Sequence, residues 1–308
     1  MEQVKSYLKQ AGSWLGLFLQ SNWAYIIWFF LHYFLLAVIL QGIFQSVSLG
    51  YFYAGLAYVV SMGIALSPVG EFALRMLQGA HEIRTGQDCN YLMPLFEEVY
   101  QDALEQTPSL SKGIKLYISE EKTINGYAMG RKTIVLTRGA IETFHREDLK
   151  GILAHEFGHM ANGDTKALLM SIIGNGIFSL IILGCKIAMW LINFFVSAVT
   201  EENFAFRIVY FILRLAFDYS VIAFMFVGNV VLSLNSRHSE YLADDYAFQI
   251  GYGEGLKCGL YLINTLDIGG RQSLKDGLLS SHPHTPARIG RLEQKLEFEA
   301  HRNLSPFG

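Results

Sequence analysis

Charged residues are scarce in this chain of 308 residues, and their scarcity is uneven along it. Asp, Glu, Lys and Arg make up 17% of the residues, against about 25% in average soluble domains. Hydrophobic residues reach 52%, and they concentrate in four long runs that carry few charges. This distribution is typical of a membrane protein rather than of a soluble protein with a large core.

Cysteine is also rare, and there is no excess of positive charge. The three cysteines, Cys89, Cys185 and Cys258, lie far apart and form no Cys-x-x-Cys pair. We therefore expect free thiols, buried or facing lipid, rather than a disulfide framework or a thiolate metal site. The net charge of −3 gives no indication of a nucleic-acid partner.

The four apolar runs predict four transmembrane helices arranged as two hairpins. The first hairpin covers residues 23–70, which carry no formal charge and are too long for a signal-peptide core. The second covers residues 167–234, with Glu201 and Glu202 at its tip. In residues 1–22, apolar side chains at helical spacing with lysines beside them fit an interfacial helix, and a frayed terminus fits equally well.

The two charged segments outside the spans, residues 71–166 and 235–308, predict one α+β domain that the second hairpin interrupts. Strands, a turn and helices are predicted in chain order at 114–119 (strand), 122–126 (turn), 133–137 (strand), 147–160 (helix) and 287–301 (helix). Of the 24 Lys and Arg residues, 21 lie in these two segments and in residues 1–22. The positive-inside rule then places both termini and the domain in the cytosol.

Four charged residues interrupt the second hairpin: Lys186, Arg207, Arg214 and Asp218. Charge inside a membrane often marks a functional site. Here the four residues lie far along the chain from the motifs described below, so we expect structural roles. Arg214 and Asp218 are four residues apart and can pair within one helix, and Lys186 is expected to snorkel at the far interface.

The motif His155-Glu156-Phe157-Gly158-His159 carries the clearest chemistry in the chain. On a helix, His155 and His159 lie one turn apart on the same face, where two imidazoles can hold one zinc ion. Glu156 can then take a proton from a water that the metal binds. The spacing predicts a zinc hydrolase, and two incidental histidines on a helix are the alternative.

A second cluster, SRHSEYLAD at residues 236–244, offers the ligand that such a site still needs. A catalytic zinc ion usually has three protein ligands and one open position, and Glu240 is the candidate third ligand. Asp244, one helical turn further on, can accept the free ring N–H of a ligating histidine and fix its tautomer. An acidic pair at this spacing is more often a solvated helix face, but the histidine motif favours the zinc interpretation.

Four motifs together resemble those of HtpX-type membrane metallopeptidases, relatives of the CAAX prenyl protease of the endoplasmic reticulum. In the family's order they are INGYA at 124–128, HEFGHMANGD at 155–164, SRHSEYLAD at 236–244 and HPHTPARI at 282–289. The apolar runs also fall where the family has them, so the resemblance covers nearly the whole chain. It implies an α+β, mostly α-helical protein with four transmembrane helices and a cytosolic zincin-like metalloprotease domain of the gluzincin type, in a bacterial inner membrane.

The resemblance implies that one Zn²⁺ ion per chain binds His155, His159 and Glu240. Glu156 would be the general base, and Asp244 would support a ligand.

Three further residues match family positions near the substrate. Asn125 matches an edge strand that pairs with the substrate backbone, and its amide would help to hold the tetrahedral intermediate. His282 and Arg288 match a C-terminal pair that approaches the zinc and stabilises the oxyanion. Taken without the family, Asn125 is a turn residue before Gly126, and His282 is a loop residue.

The function implied is that of a zinc metalloendopeptidase in the quality control of misfolded membrane proteins, as part of a stress response. A site-specific processing protease for a lipidated or short peptide is the second enzyme hypothesis. A non-catalytic scaffold that merely holds zinc is disfavoured by the intact Glu156, and a transporter by the few ionisable residues in the spans. One departure concerns substrate pairing: the family usually has Ala-Phe where this chain has Gly126-Tyr127, and glycine loosens a strand.

Overall fold

The structure, a computed structural model, describes residues 2–83, 86–199, 204–266 and 285–304. These residues form ten helices and four strands. The helices are α1 (Glu2–Phe44), α2 (Val47–Ala65), α3 (Pro68–Leu77), α4 (Gly86–Gln106), α5 (Arg138–Thr143), α6 (Arg146–Asn162), α7 (Asp164–Val199), α8 (Phe204–Gln249), α9 (Gly253–Leu266) and α10 (Thr285–Leu304). The strands are β1 (Ala80–Glu82), β2 (Lys115–Ser119), β3 (Gly126–Met129) and β4 (Thr133–Thr137).

Four of these helices are long and apolar enough to cross a membrane. The candidate spans are Phe18–Phe44 within α1, all of α2, Asn175–Ser197 within α7, and α8. Large apolar side chains along them are exposed, as expected where lipid rather than water surrounds the helix. The prediction of four transmembrane helices with an α+β domain is confirmed.

The helix α1 is broken at Asn22, whose φ of −123° and ψ of 20° are not helical. The predicted boundary between the interfacial segment and the first span falls at this break, although the apolar span itself begins earlier, at Phe18. Asn235 of α8 supplies the hydrogen bonds that the break removes. Its Oδ1 accepts from the backbone N–H of Ala24 at 3.0 Å, and its Nδ2 donates to the carbonyl of Ser21 at 2.7 Å.

The four strands form one sheet in the order β1-β2-β4-β3. The two inner strands, β2 and β4, run parallel and correspond to the predicted strands at 114–119 and 133–137. The edge strand β3 pairs antiparallel with β4, with Tyr127 opposite Val135. The residue pattern alone predicts only a turn at 122–126, because Asn125 and Gly126 are typical turn residues. The family resemblance implies an edge strand at Asn125, and β3 begins one residue later, at Gly126.

The helix α6 lies at the centre of the domain and carries the His-Glu-x-x-His motif. Thirteen of its 17 residues are buried, so its polar side chains must find partners inside the protein. Gly158 allows α8 to come close, because a Cβ at this position would lie 2.9 Å from the Cα of Ala243. This close approach places the SRHSEYLAD segment of α8 beside the His-Glu-x-x-His motif of α6.

Charged residues of the second hairpin form ion pairs with each other. Lys186 of α7 lies 3.3 Å from Asp218 of α8, and Arg214 lies 3.9 Å from the same carboxylate. Lys186 therefore pairs across the second hairpin rather than only snorkelling.

All three cysteines are free and exposed. Cys185 lies in the α7 span, whereas Cys89 and Cys258 lie on the domain surface and are neither buried nor within a span.

Candidate metal centre

Three side chains from two helices converge on one point. His155 and His159 come from α6 and Glu240 from α8, and one ligand atom from each lies within 4.8 Å of the others. The His155 Nε2–His159 Nε2 distance is 3.1 Å. Glu240 contributes one oxygen at 3.4 Å from Nε2 of His155 and the other at 3.8 Å from Nε2 of His159. The structure thus brings together the three predicted ligands, which are 85 residues apart along the chain at their extremes.

The spacing of these atoms fits a zinc ion. Zinc bonds of about 2.0–2.1 Å in a tetrahedral site place neighbouring ligand atoms about 3.3–3.4 Å apart. The three distances above scatter around this value. Two imidazoles and one carboxylate are also a ligand set that catalytic zinc sites use, with the fourth position left open.

Carboxylates orient both imidazole rings so that the Nε2 atoms point toward each other. Nδ1 of His155 lies 3.0 Å from Asp244, and Nδ1 of His159 lies 2.7 Å from Asp164. Because a carboxylate only accepts, Nδ1 of each ring carries a proton, and in the neutral rings the Nε2 lone pairs face each other. Such lone pairs repel at 3.1 Å unless a cation or a proton lies between them. The arrangement is therefore chemically suited to a metal ion.

Arg288 of α10 joins the two acidic residues of α8. Its Nε and Nη2 donate to Asp244 at 2.8 and 2.6 Å, and its Nη1 lies 2.7 Å from Glu240. The guanidinium is buried, so these contacts are little screened by water. Arg288 therefore lies beside the candidate ligand Glu240, and the contacts that it makes here are with carboxylates. Its role at an oxyanion stays a prediction.

Glu156 lies between the metal ligands and the edge strand. Its Oε2 accepts from the backbone N–H of Ala128 at 2.7 Å. That N–H therefore points away from β4 and toward α6, on the open side of β3. Asn125, just before β3, lines the same cavity, and its own backbone N–H donates to Oγ1 of Thr137 at 3.0 Å. His282 lies outside the described residues.

The charges around the site shift several pKa values. Burial raises the pKa of Glu156, although the two histidines oppose this. Burial and Arg288 lower the pKa of His155, but hydrogen bonds to Asp244 and Glu240 outweigh them and raise it to about 10. Burial likewise lowers the pKa of His159, and its hydrogen bond to Asp164 contributes to a net rise. The pair of imidazoles thus attracts positive charge, whether a proton or a metal ion.

The site opens into a cavity of about 1140 Å³. At the domain end its walls are β3, α6, α9 and α10. Toward the spans its walls carry polar side chains from α7 and α8, namely Ser171, Asn175, Asn229, Ser233 and Ser236. The cavity therefore extends from Glu156 toward the spans.

Asp164 was missed as a functional residue, although it ends the HEFGHMANGD motif. It follows Gly163, whose φ of 80° is left-handed and ends α6. This reversal returns the chain toward His159, five residues back. The Asn-Gly helix stop was visible in the sequence, and an acidic residue directly after it was the available signal.

Comparison with known proteins also indicates a metallopeptidase. The model of peptidase family M48 matches residues 93–296, about two thirds of the chain and all three candidate ligands. The chain belongs to peptidase family M48.

Curated relatives are named as HtpX proteases. A protease HtpX homolog of Bacillus licheniformis is 30% identical over 221 residues, which cover 65% of this chain and 69% of the relative. A homolog from Bacillus pumilus is 28% identical over 279 residues, covering 83% and 87%. Protease HtpX of Shewanella halifaxensis is 26% identical over 246 residues, covering 73% and 81%.

One solved structure superposes weakly on this protein. The crystal structure of S. mikatae Ste24p matches with a TM-score of 0.45 and 18% identity, covering 82% of this chain and 65% of that one. The family assignment rests on the sequence matches. With the four spans, it makes this M48 protein a multi-pass membrane metalloprotease.

Proposed function

We propose that this M48 protein is a zinc-dependent endopeptidase that cleaves misfolded membrane proteins and unfolded polypeptides on the cytosolic side of a bacterial inner membrane. The observation that carries the proposal is the convergence of His155, His159 and Glu240 within 4.8 Å, with Glu156 beside them. Two imidazole nitrogens and one carboxylate that face a single point form a ligand set that catalytic zinc sites use.

His155, His159 and Glu240 would hold the metal. When bound, zinc lowers the pKa of a coordinated water and polarises the peptide carbonyl. Glu156 accepts the proton of the attacking water and passes it to the leaving amine. The bond from Ala128 N–H fixes one oxygen of Glu156 and leaves the other for this transfer.

The edge strand β3 supports a polypeptide substrate in extended form. It pairs with β4 on one side only, and its other side faces the cavity. An extended peptide can add to such an edge through backbone hydrogen bonds, which do not depend on side-chain identity. This favours cleavage of many unfolded sequences over cleavage of one defined site.

The cytosolic placement of the domain is supported by the distribution of Lys and Arg. Cys89 and Cys258 provide a direct test because both are exposed on the domain. In variants that keep only one of them, a membrane-impermeant maleimide should label the thiol after the cells are opened and not before. Labelling in intact cells would place the domain on the outside.

The catalytic proposal is tested by Glu156→Gln in purified protein. This variant should retain about one zinc ion per chain and lose cleavage of casein and of a membrane-protein substrate by about 10²–10⁴-fold. Cleavage at the wild-type rate would contradict the role of Glu156. A single defined product from one peptide, with no action on unfolded proteins, would instead favour the processing-protease hypothesis.

A further inference from the structure

The first membrane helix contacts the metal centre through one hydroxyl group. Oγ of Ser21 in α1 donates to Oδ1 of Asp164 at 2.5 Å, while Oδ2 of the same carboxylate lies 2.7 Å from Nδ1 of His159. Ser21 is fully buried and Asp164 nearly so. One carboxylate therefore links a transmembrane helix to a candidate zinc ligand.

This contact occurs at the break in α1. Ser21 directly precedes Asn22, where the backbone leaves the helical conformation. Nδ2 of Asn22 donates to the carbonyl of Asn162, the last residue of α6, at 3.2 Å. Phe18 packs on Gly163, since a Cβ at that glycine would lie 2.7 Å from the Phe18 ring. The turn of α1 that ends at the break is thus seated on the junction of α6 and α7.

The break is itself held from a distant part of the chain. Asn235 bonds the carbonyl of Ser21 and the N–H of Ala24, one on each side of Asn22. Asn235 lies on α8, five residues before Glu240. The helices α6 and α8, which supply the candidate zinc ligands, therefore also supply the hydrogen bonds that hold the broken turn of α1.

We infer that Ser21 is a positioning residue for the metal centre, and that the broken turn of α1 orients the zinc ligand His159 through Asp164. The inference rests on the zinc-protease function proposed above. Without the serine hydroxyl, Oδ1 of Asp164 loses a hydrogen-bond donor in a buried setting, and the carboxylate can rotate away from Nδ1 of His159. A less well oriented imidazole binds zinc more weakly.

Zinc affinity tests the inference, measured by competition with a chelator on the full-length protein in detergent. Asp164→Asn should raise the zinc Kd by about 10- to 100-fold, as for other direct partners of a ligating histidine. Ser21→Ala should raise the zinc Kd by about 3- to 10-fold, because Ser21 reaches His159 only through Asp164. In the Asp164→Asn background, Ser21→Ala should change the Kd by less than about twofold.

Ser220→Ala is the matched control, because Ser220 lies in the α8 span and donates only to the carbonyl of Ala216 in its own helix. It should leave the zinc Kd unchanged. The rise in Tm on adding zinc separates positioning from mere packing. A packing role lowers Tm equally with and without zinc, whereas positioning also shrinks the zinc-induced rise.

The inference is overturned if Ser21→Ala binds zinc as tightly as wild type, or if it weakens binding equally with and without Asp164. It is also overturned if the zinc-induced rise in Tm stays at the wild-type value. These results leave the protease function intact so long as the wild type binds zinc. A wild-type protein that binds no zinc refutes the proposed function instead, and this inference with it.

Discussion

Arg288 and Glu240 form a buried ion pair beside the metal centre, with Nη1 2.7 Å from Oε2. The pair connects the last described helix, α10, to a candidate zinc ligand on α8. Arg288 also holds Asp244, which in turn orients His155. The helix α10 thus contributes Arg288 to the site. The positive charge of this one guanidinium balances the negative charges of two buried carboxylates, Glu240 and Asp244.

Arg288→Met should therefore destabilise the fold as well as the site. Removing one partner leaves Glu240 and Asp244 buried without their cation, and a loss of this kind costs about 3–5 kcal/mol. Arg291→Met is the matched control, because Arg291 pairs with Asp245 at the surface and should cost about 0–1 kcal/mol. Chemical denaturation in detergent measures both, and equal losses would contradict the balance described here.

Asp244→Asn should weaken zinc binding by about 10- to 100-fold, because the amide cannot hold His155 in the same tautomer and also accept twice from Arg288. Asp245 offers a control in the next position. It pairs with Arg291 and Lys295 and touches no ligand, so Asp245→Asn should leave the zinc Kd within about twofold. Chelator competition measures the difference, and comparable effects of the two variants would count against the assignment of Asp244.

Zinc binding should release protons near neutral pH. Without zinc, burial and Arg288 lower the pKa of His155, but the hydrogen bonds to Asp244 and Glu240 outweigh them and raise it to about 10. A raised pKa means that the ring is protonated below that value, so zinc must displace the proton. The zinc affinity should therefore rise with pH, about tenfold per unit for one proton, and level off above the raised pKa.

Calorimetry in buffers of different ionisation enthalpy measures the number of protons released per zinc. About one or more is expected at pH 7. A zinc affinity that does not change between pH 6 and 8 would contradict the raised pKa.

Gly126→Ala should disturb the edge strand. A Cβ at this position would lie 2.9 Å from Cγ2 of Ile152 and 3.1 Å from Leu136, so the strand or the helix must shift. We expect a loss of about 1–3 kcal/mol and slower cleavage, because β3 carries the Ala128 N–H that holds Glu156. The losses of Gly126→Ala and Ile152→Ala should be less than additive, because removing Cγ2 of Ile152 makes room for the new Cβ. Gly290→Ala, with open space at its Cβ position, is the control, and an equal loss there would refute this account.

The sequence was sufficient to predict which three side chains converge at the candidate metal centre, and insufficient to predict what orients them. His155 and His159 follow from helical spacing, and Glu240 from the need for a third ligand. Asp164 escaped because its approach to His159 depends on the left-handed turn at Gly163, which a sequence shows only as a helix stop.

The membrane part shows the same limit. The four spans follow from hydrophobic length alone. The break in α1 does not, because nothing local to Asn22 requires it. The hydrogen bonds that hold the break come from Asn235, more than 200 residues away. Contacts between distant polar side chains inside a membrane domain leave no periodic pattern in a single sequence.

Zinc content per chain, measured on protein purified in detergent, tests the central claim most directly. Wild type and Glu156→Gln should each carry about one zinc ion. His159→Ala and Glu240→Ala should carry little, whereas Glu254→Ala, an exposed glutamate that pairs with Lys257, should carry about one. Full zinc content in His159→Ala or Glu240→Ala, or none in the wild type, would contradict the assignment of this site as a zinc centre.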